Sequence, residues 1–184
     1  MRLPVAVLAI LGVACAGLPA QAGLLGRTVT VNYNYSANPT YTDSVVVGAG
    51  IEMTCPGGFD LCNALSAATQ TVDFADNTIT YAFTSTTGQP SGFDNVLPNM
   101  FSFLDLDMGA PITDVVLSTG IAGLDASRVT FTANAVMVDM HGLSLGFGNS
   151  FTLTLTAVPE PTSLALFGAA LAGIAGLRRR SSRG

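Results

Sequence analysis

From residue 27 onward apolar and polar side chains alternate. Val29, Val31, Tyr33 and Tyr35 interleave with Thr28, Thr30, Asn32 and Asn34; Ile79, Tyr81 and Phe83 with Thr78, Thr80 and Ala82; Phe151, Leu153 and Leu155 with Thr152, Thr154 and Thr156. A period of two, carried by β-branched and aromatic residues, marks strands with one buried and one wet face. The same reading predicts strands over residues 44–53, 69–74, 100–107, 113–118, 128–133 and 135–140. Turn signals separate them, among them Asn38-Pro39, Gly88-Gln89-Pro90, Ser91-Gly92, Gly109-Ala110-Pro111 and Gly148-Asn149. About eight to nine short strands without a helical stripe predict an all-β fold, a jelly-roll-like β-sandwich over residues 23–157. Phe74, Phe83, Phe101, Phe103, Phe131 and Phe151 are its expected core.

The alternation stops at both ends, where uninterrupted apolar runs take over. Arg2 precedes Leu3 to Leu18, and Ala20-Gln21-Ala22 follows, which is the charged, apolar and small-x-small order of a secretory signal. Pro4, Gly12 and Gly17 and the short run speak against a spanning helix, so cleavage after Ala22 and a signal peptide over residues 1–22 are expected. Cys15 raises a lipoprotein reading, which the Gly12 three residues before it disfavours. At the other end Pro159 and Pro161 hold Glu160 extended and block any strand or helix, giving a stiff connector.

Residues 162–177 then carry no charge, and Arg178, Arg179 and Arg180 follow at once. As a helix this stretch is about 24 Å long, short of a hydrocarbon core of about 30 Å, and the arginines can snorkel to make up the difference. A transmembrane helix over 162–177 is therefore expected. An arginine cluster stays cytoplasmic while a signal peptide sends the body outward, and these two orientations agree.

Charge and cysteines fit an exported body. Between residues 23 and 157 only Arg27 and Arg128 oppose eleven acids, a net of −9, and lysine is absent from the chain. Such a surface repels phosphate backbones, which excludes nucleic acid as a partner. Cys55 and Cys62 frame a Pro56-Gly57-Gly58 turn, and outside the cytoplasm such a pair closes as a disulfide. Zinc is the rival, but two cysteines and the single His141 do not fill a structural site, so no metal is expected there.

Candidate chemistry is sparse. His141 lies at a strand end in Asp139-Met140-His141-Gly142 with no nucleophile motif beside it. Asp105 and Asp107 sit two apart on an expected strand and so share a face, and Glu52 is the one glutamate of the body; such carboxylates are what a glycosidase would use. Asp73, Asp76 and Asn77 offer oxygen ligands for calcium without the pattern of an EF-hand loop. The expectation is a chain without catalytic residues or cofactor, calcium being the one ion its acidic body could collect.

Val158-Pro159-Glu160-Pro161, one apolar helix and a terminal arginine cluster, taken in that order over residues 158–184, resemble the PEP-CTERM sorting signal of Gram-negative bacteria. The resemblance implies that exosortase, a membrane-embedded transpeptidase, recognises the tail and cuts near Pro159, Glu160 and Pro161. It implies a protein held briefly in the inner membrane with its C-terminus in the cytoplasm, then passed to the cell surface or extracellular matrix. It also implies an association with exopolysaccharide and biofilm. The body is similar, more loosely, to β-rich passengers of this signal in the stretches 27–31, 47–52 and 123–129. A structural or interactive matrix role follows as the expectation. Its rivals are a carbohydrate-binding module gripping the exopolysaccharide and a secreted glycosidase.

Overall fold

Threonines facing water and aliphatics facing inward turn the alternating stretches into ladders. β1 (Thr28–Tyr35) buries Val29, Val31 and Tyr33 and leaves Thr30 and Asn32 on the other face. The computed structural model describes residues 23–36, 40–65, 69–84, 91–93 and 95–158. After β1 come β2 (Tyr41–Val46), β3 (Met53–Cys55), a one-turn helix α1 (Leu61–Ala64), β4 (Gln70–Phe74), β5 (Thr78–Phe83) and β6 (Ser91–Gly92). Then follow β7 (Asn99–Leu104), β8 (Ile112–Thr119), a 3-10 turn (Ala126–Arg128), β9 (Val129–Phe131), β10 (Val136–Asp139), β11 (Ser144–Leu145) and β12 (Ser150–Ala157).

Two five-stranded sheets result, in the orders β2-β1-β7-β10-β9 and β3-β4-β5-β12-β8, with β6 and β11 forming a small third ladder. All pairings are antiparallel. The two large sheets pack face to face through their aromatics. Phe74 of β4 meets Phe103 of β7 edge-on at 5.9 Å, and Tyr81 of β5 lies 5.2 Å from Phe101 of β7. Each such pair adds about 0.5–1.5 kcal/mol beyond the area it buries.

The expected sandwich is present, with differences in detail. The jelly-roll expectation is met only as far as two stacked sheets. β1 with β2, β3 with β4 and β5, and β9 with β10 are sequence neighbours paired within one sheet, a meander order, whereas a jelly roll sends consecutive strands to opposite sheets. The strand expected over 44–53 is the end of β2, a loop and the start of β3, because Gly48, Ala49 and Gly50 interrupt the ladder. The strand expected over 100–107 stops at Leu104, since Asp105 takes a left-handed conformation with φ +59°. Of the six phenylalanines expected in the core, five are buried and Phe131 is 41 % exposed, because three-residue β9 is the end strand of its sheet.

Candidate functional site

Past Asp105 the chain keeps alternating: Leu106 and Met108 are buried while Asp105 and Asp107 are exposed. Both aspartates hold the chain in place. Thr30 Oγ1 donates to Asp105 Oδ2 at 2.8 Å. Asp107 pairs with Arg27 at 3.2 Å and accepts the Gly109 N–H at 2.9 Å. Asp107 also reaches the rim of a shallow hollow of about 480 Å³ beside Pro111 and Asn134. A general acid needs a shielded carboxyl, and these two stand in water.

Glu52 precedes β3 and turns back on its own loop. The Gly48 N–H donates to Oε1 at 2.7 Å and the Phe74 N–H to Oε2 at 2.8 Å. The register that sets Met53 opposite Val72 brings Glu52 beside Asp73. Burial raises the Asp73 carboxyl above its ordinary value, and the charge of Glu52 and a hydrogen bond to it push the same way.

The calcium candidates are not brought together. Asp73 faces Glu52, whereas the Asp76 carboxylate lies against Gly23. Asn77 takes part through its backbone, its carbonyl accepting from Leu155 N–H at 2.8 Å. Among the described residues no three acidic, histidine or cysteine groups converge as a metal site. His141 is half-buried; its N–H donates to Asp139 Oδ1 at 3.0 Å and its carbonyl accepts from Arg128 at 2.8 Å.

Cys55 and Cys62 are joined, as their spacing and the turn between them predict, with Cα atoms 5.1 Å apart. Gly57 is needed within the loop, because a methyl group there would collide with the Thr54 carbonyl. Asp43 of β2 accepts the Asp60 and Leu61 N–H groups at 2.9 and 2.8 Å, satisfying free donors at the start of α1. Asp60 answers by accepting the Thr42 N–H at 3.0 Å. The disulfide loop is thereby latched from β3 on one sheet to β2 on the other.

Alternation did not reveal a groove on the outer face of the first sheet. Met100, Met137, Thr130, Arg128, Asp139 and Pro98 are among the residues lining a cavity of about 330 Å³. On the same face of β1, the side-chain carbonyls of Asn32 and Asn34 are buried and accept no hydrogen bond. A groove with thioether walls, a guanidinium and a carboxylate can take a ligand that offers hydroxyls and apolar edges.

Residues 157–180 match the family model of the PEP-CTERM protein-sorting motif, so the chain carries that motif directly after β12. The match covers the tail and leaves the β-sandwich outside it. The motif implies export, transient membrane anchoring through the C-terminal region, and exosortase as the processing partner. No curated protein and no solved structure matches the chain. Pro159, Glu160, Pro161, the 162–177 segment, Arg178, Arg179 and Arg180 lie outside the described residues, as do Ala20 and Ala22. Among the described residues no helix is long and apolar enough to cross a membrane.

Proposed function

We propose that this chain is an exported surface or extracellular-matrix protein with a structural or interactive role, associated with exopolysaccharide or biofilm. A leader over residues 1–22 sends it out, a sandwich over 23–157 is the delivered part, and residues 158–184 are read and cut by exosortase. The sorting motif at 157–180 carries this reading, because the motif begins where the last strand ends and so presents the cut outside the folded ladder. The acids offer further support: Asp105, Asp107, Glu52 and Asp43 are each engaged in holding one segment to another.

Mass spectrometry of both ends of the protein, recovered from membrane and matrix of cells with and without the sorting enzyme, tests the proposal. The expected matrix form starts at Gly23 and lacks everything beyond Pro161, and it disappears without the enzyme. An uncut chain in the cytosol would overturn the reading.

The groove on the first sheet favours a second reading, a module that binds the exopolysaccharide through Arg128, Asp139 and the flanking Met100 and Met137. Saturable binding of the polysaccharide to the processed protein, lost on Arg128→Ala, would establish it; no saturation would dismiss it. A glycosidase reading predicts that Asp105→Asn with Asp107→Asn abolishes reducing-sugar release, and the structural reading predicts no change.

A further inference from the structure

Every open sheet ends in strands whose outer backbone groups invite pairing, and proteins guard them with short length, charge, proline, bulges or a cover. Here β2 and β9 end one sheet, β3 and β8 the other. β3 and β9 have three residues each. β2 is covered where the Asp60 carboxylate takes the Thr42 N–H at 3.0 Å. β8 has eight residues, Ile-Thr-Asp-Val-Val-Leu-Ser-Thr, with no basic residue, proline or glycine and with Asp114 as its one charge. Its ladder to β12 shifts register only near Thr156/Ala157, so the stretch from Asp114 to Thr119 runs regularly. Among the described residues, the backbone from Thr113 to Thr119 bonds to no segment other than β12.

The side chains around this edge are apolar as well. Val115 and Leu117 face the core and are only partly buried, and Val116 on the outer face is 55 % exposed. Ile112 N–H donates to the Ala133 carbonyl at 2.8 Å, which brings the end of β9 alongside. Phe131 of β9 sits opposite buried Val136, so its ring faces inward at the rim of the sandwich and is 41 % exposed there.

We infer that β8 is a self-pairing edge, at which a second copy of this chain adds its own β8 antiparallel about a two-fold axis through Val116. The occupant follows from the pattern of the strand. Two sheets that continue each other must pair residues of the same face, and the register centred on Val116 sets Val115 opposite Leu117 of the second copy on the inner face. On the outer face Val116 meets its own counterpart and Asp114 meets a serine hydroxyl, Ser118, so no carboxylate meets a carboxylate. Shifting the centre to Val115 would oppose Asp114 to a valine and Thr113 to a leucine. The inference holds however the tail is processed, because it rests on the sandwich alone.

Edge pairing over about seven residues is a small interface, so association is expected near 10–100 µM. The two copies each carry −9 over residues 23–157, so added salt screens their repulsion and tightens the pair. Sedimentation velocity of the full chain in detergent tests this. A concentration-dependent dimer is expected, weakened about tenfold or more by Val116→Lys and unchanged by Val46→Lys at the end of β2, on the other sheet. In a Cys15→Ser background, chains with Asp114→Cys and chains with Ser118→Cys should cross-link to each other faster than either does to itself. A chain that stays monomeric, a dimer indifferent to Val116→Lys, or cross-linking without the Asp114 and Ser118 preference would overturn the inference.

Discussion

The Asp76 carboxylate occupies the space that any side chain on Gly23 would need. Gly23 N–H donates to the Met108 carbonyl at 3.0 Å, Leu24 N–H donates to the Asp76 carbonyl at 2.8 Å, and Leu24 is fully buried. The segment leading into β1 is thus clamped between the β4–β5 turn and the stretch after β7. Gly23→Ala is expected to cost about 1 kcal/mol in denaturant unfolding. The loss should shrink in an Asp76→Ala background, because the collision is with that carboxylate. Cleavage after Ala22 would also turn the Gly23 nitrogen into an ammonium beside Asp76. Asp76→Asn should then destabilise a chain starting at Gly23 more than one that retains Ala22.

Glu52 and Asp73 form a carboxylate couple at one edge of the second sheet. The Asp73 carboxyl is raised above 3.8 by burial first and by Glu52 second. A carboxyl raised in the folded state favours folding while it is protonated, and that contribution fades as pH rises through its folded value. Asp73→Asn should therefore stabilise the protein at pH 7, by about 0.5 kcal/mol after solvent screening, and change little at pH 3. Melting temperatures of parent and variant at both pH values check the sign. A loss of stability at pH 7 would mean that the couple attracts.

The disulfide loop depends on Asp43. Removing a carboxylate that satisfies helix-start donors costs about 1 kcal/mol, which corresponds to about fivefold in local opening. Hydrogen exchange at the Asp60 and Leu61 amides should accelerate by about that factor in Asp43→Ala, with β4 and β5 unchanged. Reducing the Cys55–Cys62 bond should cost about 2 to 3 kcal/mol in the chain-entropy account and add to this opening. Equal acceleration across all strands would show that the loop supports the whole sandwich.

What could be read from the chain alone depended on whether the signal was local. β1, β5 and β12 were legible because each has one wet face, which imposes a strict alternation on neighbouring residues. The stretch from Val45 to Met53 was not, because consecutive apolar residues there carry no period: Val46 and Ile51 are 62 % and 58 % exposed, while Val47 between them is buried. The sorting tail is a linear pattern and needs no fold to be recognised. The Glu52–Asp73 couple and the groove at Arg128 are made by strand register, which joins residues far apart in sequence. No short motif encodes them.

Tyr81 is fully buried, and its hydroxyl donates to Gln70 Oε1 across β4 and β5. Burial pushes the phenol far above its ordinary range, with nearby Tyr33 adding to the effect, so the hydroxyl stays protonated and remains a donor. Gln70 Nε2 in turn donates to the Leu65 carbonyl at 3.2 Å, just past α1. The relay therefore ties the sandwich interior to the end of the disulfide loop. Tyr81→Phe keeps the ring against Phe101 and Phe151 but leaves Gln70 Oε1 buried without its donor, at a cost of about 1–3 kcal/mol. Gln70→Met strands both the hydroxyl and the Leu65 carbonyl and should cost at least as much. In the double variant only the carbonyl is left unpaired, so its loss should fall short of the sum of the two single losses. Strict additivity in denaturant unfolding would show that the two side chains act independently.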